Sequence, residues 1–191
     1  HHQCYEDDLL YQLLILVHAQ RNQILLHFDL KIIVLLLKDQ LLQVVLVEPQ
    51  IPPNTGNIAR LCAATKCHLI LAGELGFELS DRTLKRAGLD YWNWVSWEHI
   101  PDWEEWVKQL DFPRCHFLST HAITPYTQMP IQAGDFVFFG KETAGLPKWL
   151  WQPHPERSFT IPMWESEVRS LNLASAASIV VYDGIRRLVP F

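Results

Sequence analysis

Val44-Val45-Leu46-Val47-Glu48-Pro49-Gln50-Ile51-Pro52-Pro53-Asn54-Thr55-Gly56-Asn57-Ile58-Ala59-Arg60 is the stretch on which the fold turns. Its first four residues are apolar and mostly β-branched, the pattern of a strand buried on both faces of a parallel sheet. Beyond the prolines, Ile58, Leu61, Cys62 and Thr65 recur at helical spacing. The prolines close the strand, Asn54 is expected as the helix N-cap, and the free amides of the first turn then face solvent or a ligand. Arg60 follows Asn54 by six residues, so both are expected to reach one pocket at the carboxyl end of the strand.

Working outward, short apolar runs alternate with helical patterns. Strands are expected over 44–47, 68–71, 116–119, 136–139 and 159–161. Trp103, Trp106, Val107 and Leu110 predict a helix after Pro101, a short basic helix is expected over 81–87, and the last helix over about 172–188. This alternation predicts an α/β fold with a mostly parallel sheet flanked by helices.

The 191 residues suffice for one domain with a real core and are too few for two ordinary ones. A net charge of -5 means that any contact with nucleic acid must come from a local basic patch rather than the global field. Eight tryptophans are many for this length, and several are expected at an interface. Cys4, Cys62, Cys67 and Cys115 lack CxxC spacing, which fits free thiols in a reducing cytoplasm. His99, His116, His121 and His154 form no spaced ligand set, so no metal is expected.

Residues 1–41 are leucine-rich, but Arg21, Asp29, Lys31 and Lys38 interrupt every run well short of the roughly 20 residues of a membrane span. They also lack the ordered regions of a secretory signal. The segment is expected to lie outside the core at 42–191, as an appended helix pair, an artefact of the gene start or an authentic extension; no function is assigned to it.

Two later segments join the first. Phe138-Phe139-Gly140-Lys141-Glu142-Thr143-Ala144-Gly145-Leu146-Pro147 follows an apolar run, and Ile161-Pro162-Met163 leads into Arg169-Ser170-Leu171-Asn172-Leu173-Ala174 and a helix of small residues. In this order the three resemble the motifs of the SpoU branch of the SPOUT RNA methyltransferases, over about 42–188 with one small insertion before Arg169. The strings Glu48 to Asn57 and Arg86-Ala87-Gly88-Leu89-Asp90-Tyr91 are similar to the branch that methylates the ribose 2'-hydroxyl of the tRNA wobble nucleotide, cytidine or uridine 34. Lys141, where that branch commonly has proline, Ala144, where it often has arginine, and the acidic Trp164-Glu165-Ser166-Glu167 depart from the pattern.

The resemblance implies a C-terminal trefoil knot, one of the exceptions to the rule against knots, a homodimer, and an anticodon stem-loop as partner. It implies S-adenosylmethionine, held largely by backbone groups near Leu118, Gly140, Ile161 and Ser170, with Met163 and Leu171 nearby; glycine permits such close approach. Arg60 matches the arginine thought to activate the hydroxyl, and stabilising the incipient alkoxide suits a guanidinium better than removing a proton. A surface salt bridge is the plainer reading of Arg60. Glu142 would orient Arg60 or a loop amide, or be a solvated carboxylate. Asn54 would fix the first loop, contact substrate or cap its helix. Ser170 and Asn172 would bond cofactor and the Asn54 loop, or cap the last helix.

For substrate, Arg82, Lys85 and Arg86 followed by Tyr91 can neutralise phosphates and stack on a base, or form only a solvated face. Tyr182 matches a tyrosine of the same branch and could equally be buried between paired helices. The same chemistry at another tRNA position or on ribosomal RNA, and a knotted RNA-binding protein without catalysis, are the alternatives. A nicotinamide enzyme is disfavoured, because no GxGxxG follows a strand.

Overall fold

The computed structural model describes residues 41–78, 94–165 and 167–189. In chain order the regular elements are β1 (Gln43–Val47), α1 (Pro52–Thr65), β2 (His68–Ala72), β3 (Trp97–Ile100), α2 (Trp103–Val107), β4 (Cys115–Leu118), β5 (Thr124–Pro125), β6 (Phe136–Phe139), α3 (Lys148–Trp151), β7 (Ser158–Thr160) and α4 (Leu173–Leu188). The helix expected over 81–87 lies outside the described residues.

All seven strands join one sheet in the order β3-β2-β1-β6-β4-β7-β5, and every pairing is parallel. Parallel pairing requires a crossover after each strand, so all carboxyl ends share one edge. Strand β1 stands where the chain's order reverses: β2 and β3 extend the sheet on one side, while β6, β4, β7 and β5 build the other. Crevices for ligands form at such switch points.

Central strands are apolar on both faces because both are covered. One face carries Val45, Val47, Ile70, Ala72, Phe117 and Phe138, packed with Trp103 and Val107 of α2 and Leu150 of α3. The alternate residues Val44, Leu46, Leu69, Leu71 and Val137 are equally buried and point the other way. Helix α1 packs against α4, whose buried stripe is Ala174, Ala177, Val180, Val181, Gly184 and Ile185. Its spacing is that of one helix face.

Helix α1 starts earlier than its amide residues suggest. Ile51 is the N-cap, without a side-chain cap bond, and Pro52 and Pro53 occupy the first turn, where a missing N–H costs nothing and the fixed φ suits a helix. Asn54 is therefore inside the helix, correcting its expected place as N-cap. The helix ends at Lys66 in the left-handed region, φ 52°.

At the opposite edge of the sheet, Asp135 is 1% exposed. It accepts from Gln132 N at 2.7 Å and pairs with His116 Nε2 at 2.9 Å and with Arg114 Nε. Burial opposes ionisation of Asp135, but the bonds from His116, Arg114 and Gln132 outweigh it and hold the carboxyl below its ordinary value. A depressed folded-state pKa gives stability that is complete above the unfolded value, about 3.9, and is lost as pH falls through the lower folded value. Asp135→Asn is expected to cost about 3 kcal/mol, the lower range for breaking a buried ionic cluster. Chemical denaturation should show this loss at pH 7, and the gap to wild type should narrow below about pH 4.

Candidate functional site

The loops leaving β1, β4, β6 and β7 at the common carboxyl edge surround a cavity of about 490 Å³, a volume within the range of small-molecule sites. Leu118, Gly140, Ile161, Met163, Ser170 and Leu171 all line it, as do Asn54, Glu142 and Asn172. Three segments far apart in sequence therefore meet where the motifs predicted a common site.

Side chains tie these segments together. Glu142 Oε1 accepts from Asn54 Nδ2 at 2.9 Å and from Ile51 N at 3.2 Å, while Oε2 accepts from Gln50 N at 2.9 Å. Glu142 is thus a clamp on amides of the first loop rather than a solvated carboxylate. Asn54, 5% exposed, accepts on Oδ1 from Asn172 Nδ2 at 2.9 Å. The Asn172 Oδ1 caps α4 by accepting from Ala174 N at 2.9 Å and Ser175 N at 3.3 Å. Capping and bonding the Asn54 loop were open alternatives for Asn172, and it does both.

Further contacts close the loop after β6 onto the one after β1. Lys141 Nζ reaches Glu48 Oε2 at 2.6 Å and Thr143 Oγ1 donates to Gln50 Oε1 at 2.8 Å. The loop then folds back on itself: Gly145 N donates to Lys141 O at 2.8 Å, and Gly145 adopts φ 70°. Gly140 lies beneath this return, where an added Cβ would fall 2.0 Å from Gly145 C and 2.1 Å from Leu146 N. Only glycine fits there.

Hydrogen bonds to a charged group contribute about 1.5–3 kcal/mol each, less where water competes. Glu142→Ala removes three such bonds but leaves the sheet and its core intact. The expected result is about a tenfold weaker affinity for the cofactor, the effect of losing about 1.4 kcal/mol of loop organisation, with a small change in melting temperature. Titration calorimetry and a thermal melt on the same preparation would measure both.

Arg60 is exposed on α1 and lies outside the lining of this cavity; the expectation that it shares its own chain's pocket with Asn54 is not met. Six helical residues rotate the two side chains onto different faces. Tyr182 is half exposed on α4 and also lies outside the lining, so within this chain it is not buried. Arg82, Lys85, Arg86 and Tyr91 lie outside the described residues. Cys62, Cys67 and Cys115 are free and buried, and burial pushes the Cys115 thiol up to about 12. Trp94, Trp149 and Trp164 are exposed. Among the described residues no group of three His, Cys, Asp or Glu could hold a metal ion, and no helix is long and apolar enough to cross a membrane.

His121, Lys148, Trp151 and Arg169, absent from the expected site residues, also line the cavity. The signal available was position: His121 follows β4, and Arg169 directly precedes Ser170.

A parallel α/β sheet whose carboxyl-edge loops converge on a small-molecule cavity defines a protein of the open-sheet, ligand-binding class. Residues 41–182 match the SpoU rRNA Methylase family, and the chain belongs to it. It is 44% identical over 146 residues to a tRNA (cytidine(34)-2'-O)-methyltransferase of Saccharophagus degradans, covering 76% of this chain and 94% of the relative. It is 42% identical over 154 residues to the enzyme of that name from Yersinia pestis, covering 78% and 94%. Among solved structures, one concerned with the 2-OH methylation of C/U34 on tRNA superposes with a TM-score of 0.72 at 37% identity, covering 78% of this chain and 97% of that one. An AdoMet-bound rRNA methyltransferase from Sinorhizobium meliloti superposes at 0.64 with 25% identity, covering 76% and 56%.

Proposed function

We propose that this chain is a TrmL-type tRNA (cytidine(34)/uridine(34)-2'-O)-methyltransferase, transferring a methyl group from S-adenosylmethionine to the ribose 2'-hydroxyl of the wobble nucleotide. The observation that carries this reading is the convergence of three motif loops on one cavity, tied through Glu142, Asn54 and Asn172, in a chain that matches enzymes of that name over 76–78% of its residues. The catalytic domain spans 42–191, with 1–41 outside it. It works in the cytoplasm, where tRNA and free thiols coexist.

The cavity fits the cofactor: its volume suits a molecule of that size, and Leu118, Ile161, Met163 and Leu171 supply apolar walls beside loop backbone and the Ser170 hydroxyl. When bound, the cofactor supplies an electrophilic methyl group on a sulfonium centre. Leu118, Gly140, Ile161, Met163, Ser170 and Leu171 hold it, and the Glu142–Asn54–Asn172 bonds keep the loops in register, so that orientation is settled before substrate arrives. The C-terminal part of the domain carries the trefoil knot of the family.

Arg60 acts across a homodimer. Pro53, Asn57, Arg60 and Ala64 form one exposed stripe of α1, and Ser175, Ile179, Tyr182 and Arg186 one of the adjoining α4. Pairing two copies on these faces buries the half-exposed Ile179 and Tyr182 and carries Arg60 toward the partner's cavity. There its guanidinium stabilises the oxygen as negative charge develops. The anticodon stem-loop lies across both subunits, with Arg82, Lys85, Arg86 and Tyr91 on its phosphates and bases. Incubating the protein with labelled S-adenosylmethionine and unmodified tRNA, then digesting to nucleosides, tests the reading. 2'-O-methylcytidine or 2'-O-methyluridine is expected, and label in a base or in no RNA refutes it.

A further inference from the structure

The cavity lining carries chemistry that a methyl donor does not require. Lys148 and Arg169 belong to it, both exposed, and neither side chain makes a hydrogen bond or ion pair among the described residues. The other charged groups of the lining are engaged: Lys141 with Glu48, and Glu142 with its amide and backbone donors. The open mouth is therefore locally positive in a chain of net charge -5. S-adenosylmethionine has one carboxylate and no phosphate, so two uncommitted cations exceed its needs.

The same lining holds an aromatic pair. The His121 and Trp151 rings are stacked, with centroids 6.1 Å apart and planes inclined by 12°. Trp151 is half-buried against the core, whereas His121 is exposed on a turn in which its N–H donates to Ser119 Oγ at 3.2 Å. Lys148 and Trp151 are three residues apart on α3 and so project from the same side of that helix. A flat surface anchored on one side by a tryptophan, with two cations in the same cavity lining, has the recognition chemistry of an unpaired nucleotide.

We propose that His121, Trp151, Lys148 and Arg169 seat the RNA nucleotide whose ribose enters the cavity. Its base extends the Trp151–His121 stack on the open imidazole face, and its flanking phosphates lie on Lys148 and Arg169. This rests on the RNA 2'-O-methyltransferase reading and adds to it residues that set substrate position.

The test is steady-state transfer to an anticodon stem-loop by wild type, His121→Ala, His121→Phe and Lys148→Ala, with cofactor affinity measured by calorimetry and RNA affinity by filter retention. His121→Ala is expected to raise the RNA KM and Kd about tenfold, within the range for losing one stacking partner, and His121→Phe to restore them. Lys148→Ala should weaken RNA binding and flatten the slope of log Kd against log salt by about 0.7, one phosphate contact on a single strand. The cofactor Kd should stay within about twofold in all three. Weakened cofactor binding with unchanged RNA affinity, a Phe variant as defective as Ala, or an unaltered salt slope would overturn the proposal. If wild type transfers no methyl group to any RNA, the enzymatic reading fails; the filter-retention series still decides the nucleotide seat, since RNA affinity unaltered in the variants rejects it.

Discussion

Gly140→Ala is expected to yield a folded protein with about a hundredfold weaker affinity for S-adenosylmethionine. The added carbon would lie 2.0 Å and 2.1 Å from backbone atoms of Gly145 and Leu146, and no rotamer change can relieve an overlap with main chain. The return of the loop after β6 must open instead, breaking the Gly145–Lys141 bond and shifting Glu142. Forcing extra volume into a packed site costs about 1–3 kcal/mol, and the upper figure is about a hundredfold in Kd. The central strands are untouched, so a cooperative thermal melt should persist. Calorimetric titration decides the matter: an affinity within about twofold of wild type would mean that this loop does not shape the cofactor site.

Arg60→Ala is expected to lose a factor of about 10²–10³ in kcat, as when one oxyanion-stabilising donor is removed, with the cofactor Kd unchanged. The pairing of these effects follows from geometry, since Arg60 lies outside the cavity of its own chain. Mixing the two variants sharpens the test. In a heterodimer of Arg60→Ala and Gly140→Ala subunits, one of the two composite sites has an intact cavity and an intact arginine, so activity should return although each homodimer is nearly inactive. No recovery after subunit exchange would place Arg60 outside a shared site.

Both expectations began in the chain itself, and the elements differ in how openly it announced them. Strands β1, β2 and β6 were legible as apolar runs and β4 and β7 from the apolar residues within them, and the structure places each within about a residue of its expected bounds. The last helix was equally clear: Asn172 caps it and small residues repeat at helical spacing. Strand β3, Trp97–Ile100, escaped because it pairs on one side only and exposes Glu98 and His99, which leaves no apolar run to read. Strand β5 is two residues, one of them proline, and exists only through its pairing with β7.

The site was legible in its motif residues and illegible in its geometry. Ordered motifs pointed to Asn54, Glu142, Ser170 and Asn172, and these do line one cavity. Reading Pro52 and Pro53 as strand terminators misplaced the start of α1, because proline suits the first helical turn as well as it ends a strand. That shift made Asn54 a bridge between loops instead of a cap. The stack of His121 on Trp151 joins positions 30 residues apart, one in the turn after β4 and one on α3, and no local pattern signals such a contact.

Methyl transfer to the 2'-hydroxyl of nucleotide 34 is tested by comparing two anticodon stem-loops identical except for ribose or 2'-deoxyribose at that position. Label from S-adenosylmethionine is expected in the first, recovered as a 2'-O-methylated nucleoside at position 34, and none in the second. Equal labelling of both, or label at any other nucleotide, would contradict it.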